Sequence, residues 1–388
     1  MRLIRLELTG YRNLRDQRLE FPPGGVAIVG ANAQGKTNLL EAIHYLETFR
    51  SFRGARDEQL VRFGEDTFRV EGTVGGKGWR APVAPSPEPE IHPGVVATLS
   101  AAFRASTREK RVRVDGEIVP RIAGAIGGLG SVLFTPDDVR LVSDGPAGRR
   151  RFLDIVLSLN DRSYLAALQR FRQALAQRSA ALRRGENPGA VAAWNGALVE
   201  SGSRVTAGRS AWILASNPGF RAYSAEVSGG VGSTMRYESS IPGACDGAGE
   251  HELTERYSRT LQGAAEQERR HRTTLVGPHR DELRFTIEGE GAGSDARDYG
   301  SGGQQRTVAL ALRLVEADTA RRSRGGEPIL LLDDVFAELD EDRSRRLLQL
   351  FDRLSPGQVI LTAPKERDVS FRSDLLPRWS MREGVVSE

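Results

Sequence analysis

One octapeptide limits what this chain can fold into more than any other: Gly30-Ala31-Asn32-Ala33-Gln34-Gly35-Lys36-Thr37. It matches GxxxxGK[ST], a loop whose glycines leave backbone N–H groups free to cradle phosphate oxygens. In that pattern Lys36 reaches the β- and γ-phosphates of a nucleotide and Thr37 ligates Mg²⁺. The loop needs a strand before it and a helix after it. Gly25-Val26-Ala27-Ile28-Val29 is a short β-branched run, and Asn38 to Leu46 carries apolar residues at helical spacing. A helix N-terminus is thereby aimed at the phosphates. Only four lysines occur, Lys36, Lys77, Lys110 and Lys365, so a lysine at this position is not a by-product of composition.

At 388 residues the chain has room for two domains, or one large domain with an insertion. Its 39% apolar and 27% charged residues describe an ordinary globular chain with a sizeable core. The net charge of +4 discriminates little, although arginine, the dominant cation, suits both phosphate contacts and internal ion pairs. A single cysteine, Cys245, excludes an internal disulfide framework and a four-cysteine zinc site. The first thirty residues lack the apolar core of a signal peptide, and no run of eighteen apolar residues occurs. The expectation is a cytoplasmic protein with no membrane partner.

Met1 to Leu8 alternates as a half-buried strand, and Gln17 to Phe21 reads as a second. Between them Arg12 and Asn13 either face the nucleotide or form a surface turn. Arg50 to Asp57 is a basic loop. Phe68 to Val74 and Lys110 to Val114 read as hairpin strands, with five prolines between Pro82 and Pro93 marking an exposed loop and Asp115-Gly116 a tight turn. From about Pro136 the texture is helical: Gly145 to Asp154, Tyr164 to Arg184, Ala190 to Ala215 and Glu252 to Arg270. No heptad is sustained, so no long coiled coil is expected. Strand texture returns at Leu283 to Ile287, Ile329 to Leu332 and Gln358 to Thr362. The expected fold class is α/β: a nucleotide-binding lobe built from both chain ends, 1–135 and 272–388, with a helical lobe, 136–271, inserted.

The second half of the site lies near the C-terminus. Ile329-Leu330-Leu331-Leu332-Asp333-Asp334 is a buried strand ending in two acids, the Walker B pattern, in which the first holds Mg²⁺ and the second polarises the attacking water. Upstream, Ser301-Gly302-Gly303-Gln304 reproduces the SGGQ core of the ABC-ATPase signature, and Ala337-Glu338-Leu339-Asp340 resembles the D-loop of that family. These motifs, in this order, identify the chain as similar to an ABC-ATPase head. Further blocks narrow the resemblance to the RecF family of bacterial recombination proteins, from residue 1 to the C-terminus. They are Leu8-x-Gly10-Tyr11-Arg12-Asn13-Leu14, Phe134 to Val139, Gly148 to Asp154, Gly277 to Leu283 and Gln304 to Leu314.

The resemblance implies ATP and Mg²⁺ as cofactors, bound by Gly30 to Thr37 and Asp333, with Asp334 as general base; Arg12 and Asn13 are added candidate contacts by their closeness in sequence to the phosphate-loop strand. It implies that Ser301, Gly302, Gly303 and Gln304 complete the nucleotide site of a second copy, with Asp340 in the D-loop, so that ATP glues a homodimer. Binding to duplex DNA, single-stranded DNA and junctions is implied, with RecR and RecO as partners in loading recombinase at gaps, in replication restart and in SOS induction, and with weak, slow ATP hydrolysis. The sequence departs from the family at Ala33, where glycine is usual. It also departs from transporter subunits: the stretch Phe134 to Asp138 carries no Q-loop glutamine, Thr362 stands where they have a switch histidine, and Asp334 replaces their glutamate. An ABC transporter's nucleotide-binding subunit is the alternative reading. Residues that contact DNA are not named by any motif: Arg149-Arg150-Arg151 and the group Arg269, Arg270 and Arg272 suit either DNA or internal ion pairs.

Overall fold

The computed structural model describes residues 1–76, 96–244, 249–289, 293–336, 339–354, 357–365 and 376–388. The proline-rich stretch, Cys245 and the D-loop residues Ala337 and Glu338 lie outside them. The described chain forms two compact units, Met1–Asp138 with Glu316–Glu388, and Val139–Val315.

In the first unit Gly25–Val29, Val359–Ala363, Ile329–Asp333 and Ser131–Phe134 run parallel in that order. All residues of the last three strands are buried. Their sequences are therefore near-continuous apolar runs, as a sheet covered on both faces requires. On the far side of Gly25–Val29 lies Arg378–Arg382, parallel to it and turning back into Val385–Ser387. A second, antiparallel sheet contains Gln17–Glu20, Arg2–Thr9, Thr67–Gly75, Val96–Arg104, Glu109–Val114 and Glu117–Ile118 in spatial order. The sequence suggests that Phe68 to Val74 and Lys110 to Val114 are neighbours; the structure sets Val96–Arg104 between them. That strand is easily passed over, because Ala97, Leu99, Ala101 and Phe103 alternate inward but two of the four are only alanine. The phosphate-loop helix Lys36–Thr48 buries Leu39, Ile43 and Leu46 in one core with Leu6 and Val70 of the antiparallel sheet and Leu331 and Ile360 of the parallel one.

The second unit contains the helices Pro146–Asn160, Arg162–Arg184, Asn195–Ser228 and Glu250–His271. Arg162–Arg184 shows why they form. Asp161 accepts the N–H groups of Ser163 and Tyr164 at its start, and Gly185 ends it at φ 68°. Tyr164, Leu168, Phe171, Ala174 and Leu182 lie buried at helical spacing between these caps.

The expected limit at 271 differs from the observed unit, which extends to Val315. Glu282–Ile287 pairs along its whole length with Ser233–Glu238, and Leu283, Phe285 and Ile287 share a core with Phe220, Met235 and Tyr257. A strand goes where its partner is, and the partner Ser233–Glu238 has only Met235 and Tyr237 as apolar signal. The inserted lobe is thus helical with a small antiparallel sheet, closed by Ser294–Asp295.

Candidate nucleotide-binding site

The loop Gly30 to Thr37 follows Gly25–Val29 and enters the helix at Lys36. Gly35 has φ 114°, and a Cβ there would stand 2.9 Å from Leu14 Cδ2, so glycine is required. Ala33 adopts φ 66°, a conformation that costs a non-glycine residue roughly 1–2 kcal/mol. Ala31 and Asn32 are exposed at the loop crest. Lys36 Nζ donates to the carbonyls of Gly30 (2.6 Å) and Ala31 (3.0 Å), which holds the ammonium across the loop. Burial lowers its pKa, against the opposing pull of Asp334 and Asp333.

Parallel pairing brings the two halves of the site together. Asp333 ends its strand opposite Thr362, and Thr362 lies opposite Ile28, two residues before the loop. Thr362 Oγ1 donates to Asp333 Oδ1 at 2.7 Å, and Thr37 Oγ1 donates to the same oxygen at 3.1 Å. Burial raises the Asp333 pKa; the two threonine hydroxyls and then the charges of Lys36 and Arg53 draw it back. Asp334 has φ 50° and its N–H meets both Thr362 O and Thr362 Oγ1 at 3.3 Å. Thr362 thus organises both acids. A threonine hydroxyl and a carboxylate 3.1 Å apart at a helix N-terminus are hard oxygen donors that fit Mg²⁺.

Asn13 touches the loop: its Nδ2 reaches Ala33 O at 3.5 Å and its Oδ1 accepts Asn38 Nδ2 at 2.7 Å. Arg12 buttresses the helix instead. Its guanidinium makes two bonds to Glu41, at 2.9 and 3.1 Å, and a third to Gln59 O at 3.2 Å. Glu41 is fully buried and also accepts Ser51 Oγ–H.

Arg53 is the residue that motif reading passes over. Ser51 Oγ accepts the N–H groups of Arg53 (3.1 Å) and Ala55 (3.3 Å), which folds the basic loop back onto the helix. Arg53 Nη1 then donates to Asn38 Oδ1 at 3.2 Å, next to Thr37, and its charge acts on Asp333. Its only sequence signal is membership of the basic stretch Arg50 to Asp57.

Ser301, Gly302, Gly303 and Gln304 belong to the unit Val139–Val315. Ser301 and Gln304 form a reciprocal cap on the helix Gly302–Arg324: Ser301 N–H donates to Gln304 Oε1 at 2.8 Å, and Gln304 N–H to Ser301 Oγ at 3.3 Å. Ser301 and Gly302 remain exposed at that N-terminus. Asp340 caps Glu341–Leu354 by accepting Arg343 N–H at 2.8 Å, a bond that lowers its pKa.

The basic clusters separate. Arg149 is 3% exposed, bound twice to Glu282 at 2.8 and 3.0 Å and to the carbonyls of Leu141, Val142 and Asp144. Arg150 donates to Asp281 O at 2.8 Å. These bonds join two of the sequence blocks, Gly148 to Asp154 and Gly277 to Leu283. Arg269, Arg270 and Arg272 are exposed, with Arg270 paired to Glu266.

The chain matches the RecF/RecN/SMC N terminal domain model over residues 2–387. An Smc head from Pyrococcus furiosus has the same fold, with a TM-score of 0.55 at 17% identity over 99% of this chain and 95% of that one. Fold and site therefore define an ATPase head of the RecF/RecN/SMC class. A relative named DNA replication and repair protein RecF, from Anaeromyxobacter sp. (strain Fw109-5), is 37% identical over 368 residues, 95% of this chain and 93% of its own. A solved structure described as the recombination mediator protein RecF-ATP in the RecFOR pathway has a TM-score of 0.85 at 28% identity, covering 100% of this chain and 98% of that one. The chain belongs to the RecF family. A transporter subunit is not favoured by these matches, and no helix among the described residues is long and apolar enough to cross a membrane.

Proposed function

We propose that the chain is an ATP-driven dimer switch on DNA, acting in recombinational repair and replication restart in the cytoplasm. The observation that carries this reading is the convergence of Lys36, Thr37, Asp333 and Asp334 beyond the ends of two parallel strands that flank Val359–Ala363. ATP binds on Gly30 to Thr37, with Asn13 against the loop. Mg²⁺, held by Thr37 and Asp333, supplies charge neutralisation for the β- and γ-phosphates. Asp334, whose charge opposes the lowering of the Lys36 pKa by burial, takes the proton of the attacking water. Ser301 to Gln304, presented at a helix N-terminus, receive the γ-phosphate of a second copy. Slow hydrolysis ends the bound state. Duplex DNA, single-stranded DNA and their junctions are held mainly by phosphate contacts, so retention falls with salt. The RecFOR description of the structural relative supports RecR and RecO as partners, and loading recombinase at gaps and SOS induction are the roles proposed with them.

Sedimentation of Asp334→Asn with and without Mg-ATP tests the switch, beside the same variant carrying Ser301→Arg. An ATP-driven shift from monomer to dimer that Ser301→Arg abolishes is the expected outcome. No shift at any ATP concentration would mean that the signature does not act on a second copy.

A further inference from the structure

The C-terminal strand pair, unread in the sequence, lies against the phosphate loop. Its strand Arg378–Arg382 runs beside Gly25–Val29, with Ser380 opposite Val29. Contact is close at the first loop residue, where a Cβ on Gly30 would stand 2.4 Å from Met381 O. The turn Glu383-Gly384 then folds onto the loop itself. Glu383 N–H donates to Gln34 Oε1 at 2.6 Å, and Gly384 N–H donates to Gln34 O at 3.0 Å. Behind the turn, Gly384 O accepts from Arg15 N–H and from Gln17 Nε2, each at 3.0 Å, and Gln17 Oε1 accepts Val386 N–H at 3.0 Å. Gly384 has φ 78°, and a Cβ there would lie 2.1 Å from Asn13 O, so the turn has no room for a side chain.

Gln34 is thus gripped by side chain and by backbone from outside the loop. It sits between Ala33 at φ 66° and Gly35 at φ 114°, the two positive-φ positions of the loop. A strained non-glycine conformation persists only where its surroundings fix it. We propose that the turn Glu383-Gly384 is a positioning element of the nucleotide site, which holds Gln34 so that the loop has its phosphate-receiving shape before ATP arrives. The proposal rests on the reading of Gly30 to Thr37 as the ATP site and extends it by giving the C-terminal hairpin a share in affinity. Ordering a loop in advance removes that cost from the binding step.

The test is ATP affinity by calorimetry, with the melting temperature, on the full chain carrying Gly384→Ala. Gly116→Ala is the control, because Gly116 also has positive φ (83°), in a different turn where a Cβ meets nothing within 4 Å. Gly384→Ala is expected to weaken ATP binding at least about tenfold, as befits loss of both turn bonds. Gly116→Ala is expected to stay within about twofold while carrying the same kind of backbone strain. Gln34→Met removes one acceptor only and is expected to weaken binding about three- to fivefold; it decides the matter if Gly384→Ala does not fold. Unchanged ATP affinity in Gly384→Ala, or in Gln34→Met should the first not fold, overturns the proposal. Equal losses in Gly384→Ala and Gly116→Ala mean general destabilisation and overturn it too. Failure of the unaltered chain to bind ATP overturns the site reading itself and the proposal with it.

Discussion

The helix that begins at the signature, Gly302–Arg324, ends in a buried cation. Arg324 is 3% exposed; its Nη2 donates to Glu47 Oε1 at 3.1 Å and its Nη1 to Gly127 O at 2.6 Å. Glu47, the penultimate residue of the phosphate-loop helix and 1% exposed, also accepts Gly130 N–H at 2.5 Å through Oε2. The two helices that carry the nucleotide motifs are therefore tied at their C-terminal ends by one buried pair. Glu47→Ala strands a guanidinium and an amide N–H away from water. The stranded charge costs about 3–5 kcal/mol and the orphaned amide about 1–3 kcal/mol, less whatever the site relaxes. A loss of about 4–6 kcal/mol in urea unfolding near neutral pH is expected. The double variant Glu47→Leu with Arg324→Met removes both charges and keeps bulk, so it is expected to lose less than Glu47→Ala alone. Added salt should change these losses little, because the pair is buried. A loss below about 1 kcal/mol for Glu47→Ala, or a double variant costing the full sum of its singles, would refute the reasoning.

Two further outcomes can be checked in the same material. His279 packs against Phe171 with Nε2 at 3.0 Å from Thr274 O, and burial pushes its pKa down to about 4 from the ordinary 6.5. The unfolded chain therefore binds the proton first as pH falls, and stability is lost between about pH 6.5 and 4; from pH 7 to 5 the loss is roughly 1.5–2 kcal/mol. His279→Gln should lack that component in urea titrations at the two pH values, and an unchanged pH dependence would count against it. Arg53→Ala is expected to weaken ATP binding roughly three- to tenfold, with Arg53→Lys recovering part of it. Calorimetric affinities equal to that of the unaltered chain would remove Arg53 from the site.

Much of the fold was legible because its strongest signals are local. Ile329 to Leu332 and Val359 to Thr362 are apolar throughout, which only a doubly covered strand requires, and Gly30 to Thr37 needs one backbone conformation whatever surrounds it. The elements missed are those whose signal is shared with a partner. Val96–Arg104 alternates with small residues, Ser233–Glu238 has two apolar side chains, and Arg378–Arg382 mixes Trp379 and Met381 with arginine. Each is a strand because a neighbour supplies its hydrogen bonds.

The same division runs through the site. The residue types fix the chemistry: a lysine on a glycine-bearing loop, a threonine for a metal ion, and two acids at a strand end. Asp333 meets Thr37 only because one parallel strand, Val359–Ala363, stands in register between their two strands. Arg12 turns to Glu41 rather than to the loop because a buried carboxylate is a costly group to leave unpaired, and Arg149 turns to Glu282 because the guanidinium itself is buried. Motif chemistry is written within a few residues of chain. Which charges pair, and which remain for a ligand, depends on groups tens to hundreds of residues apart, and only the packed core brings those together.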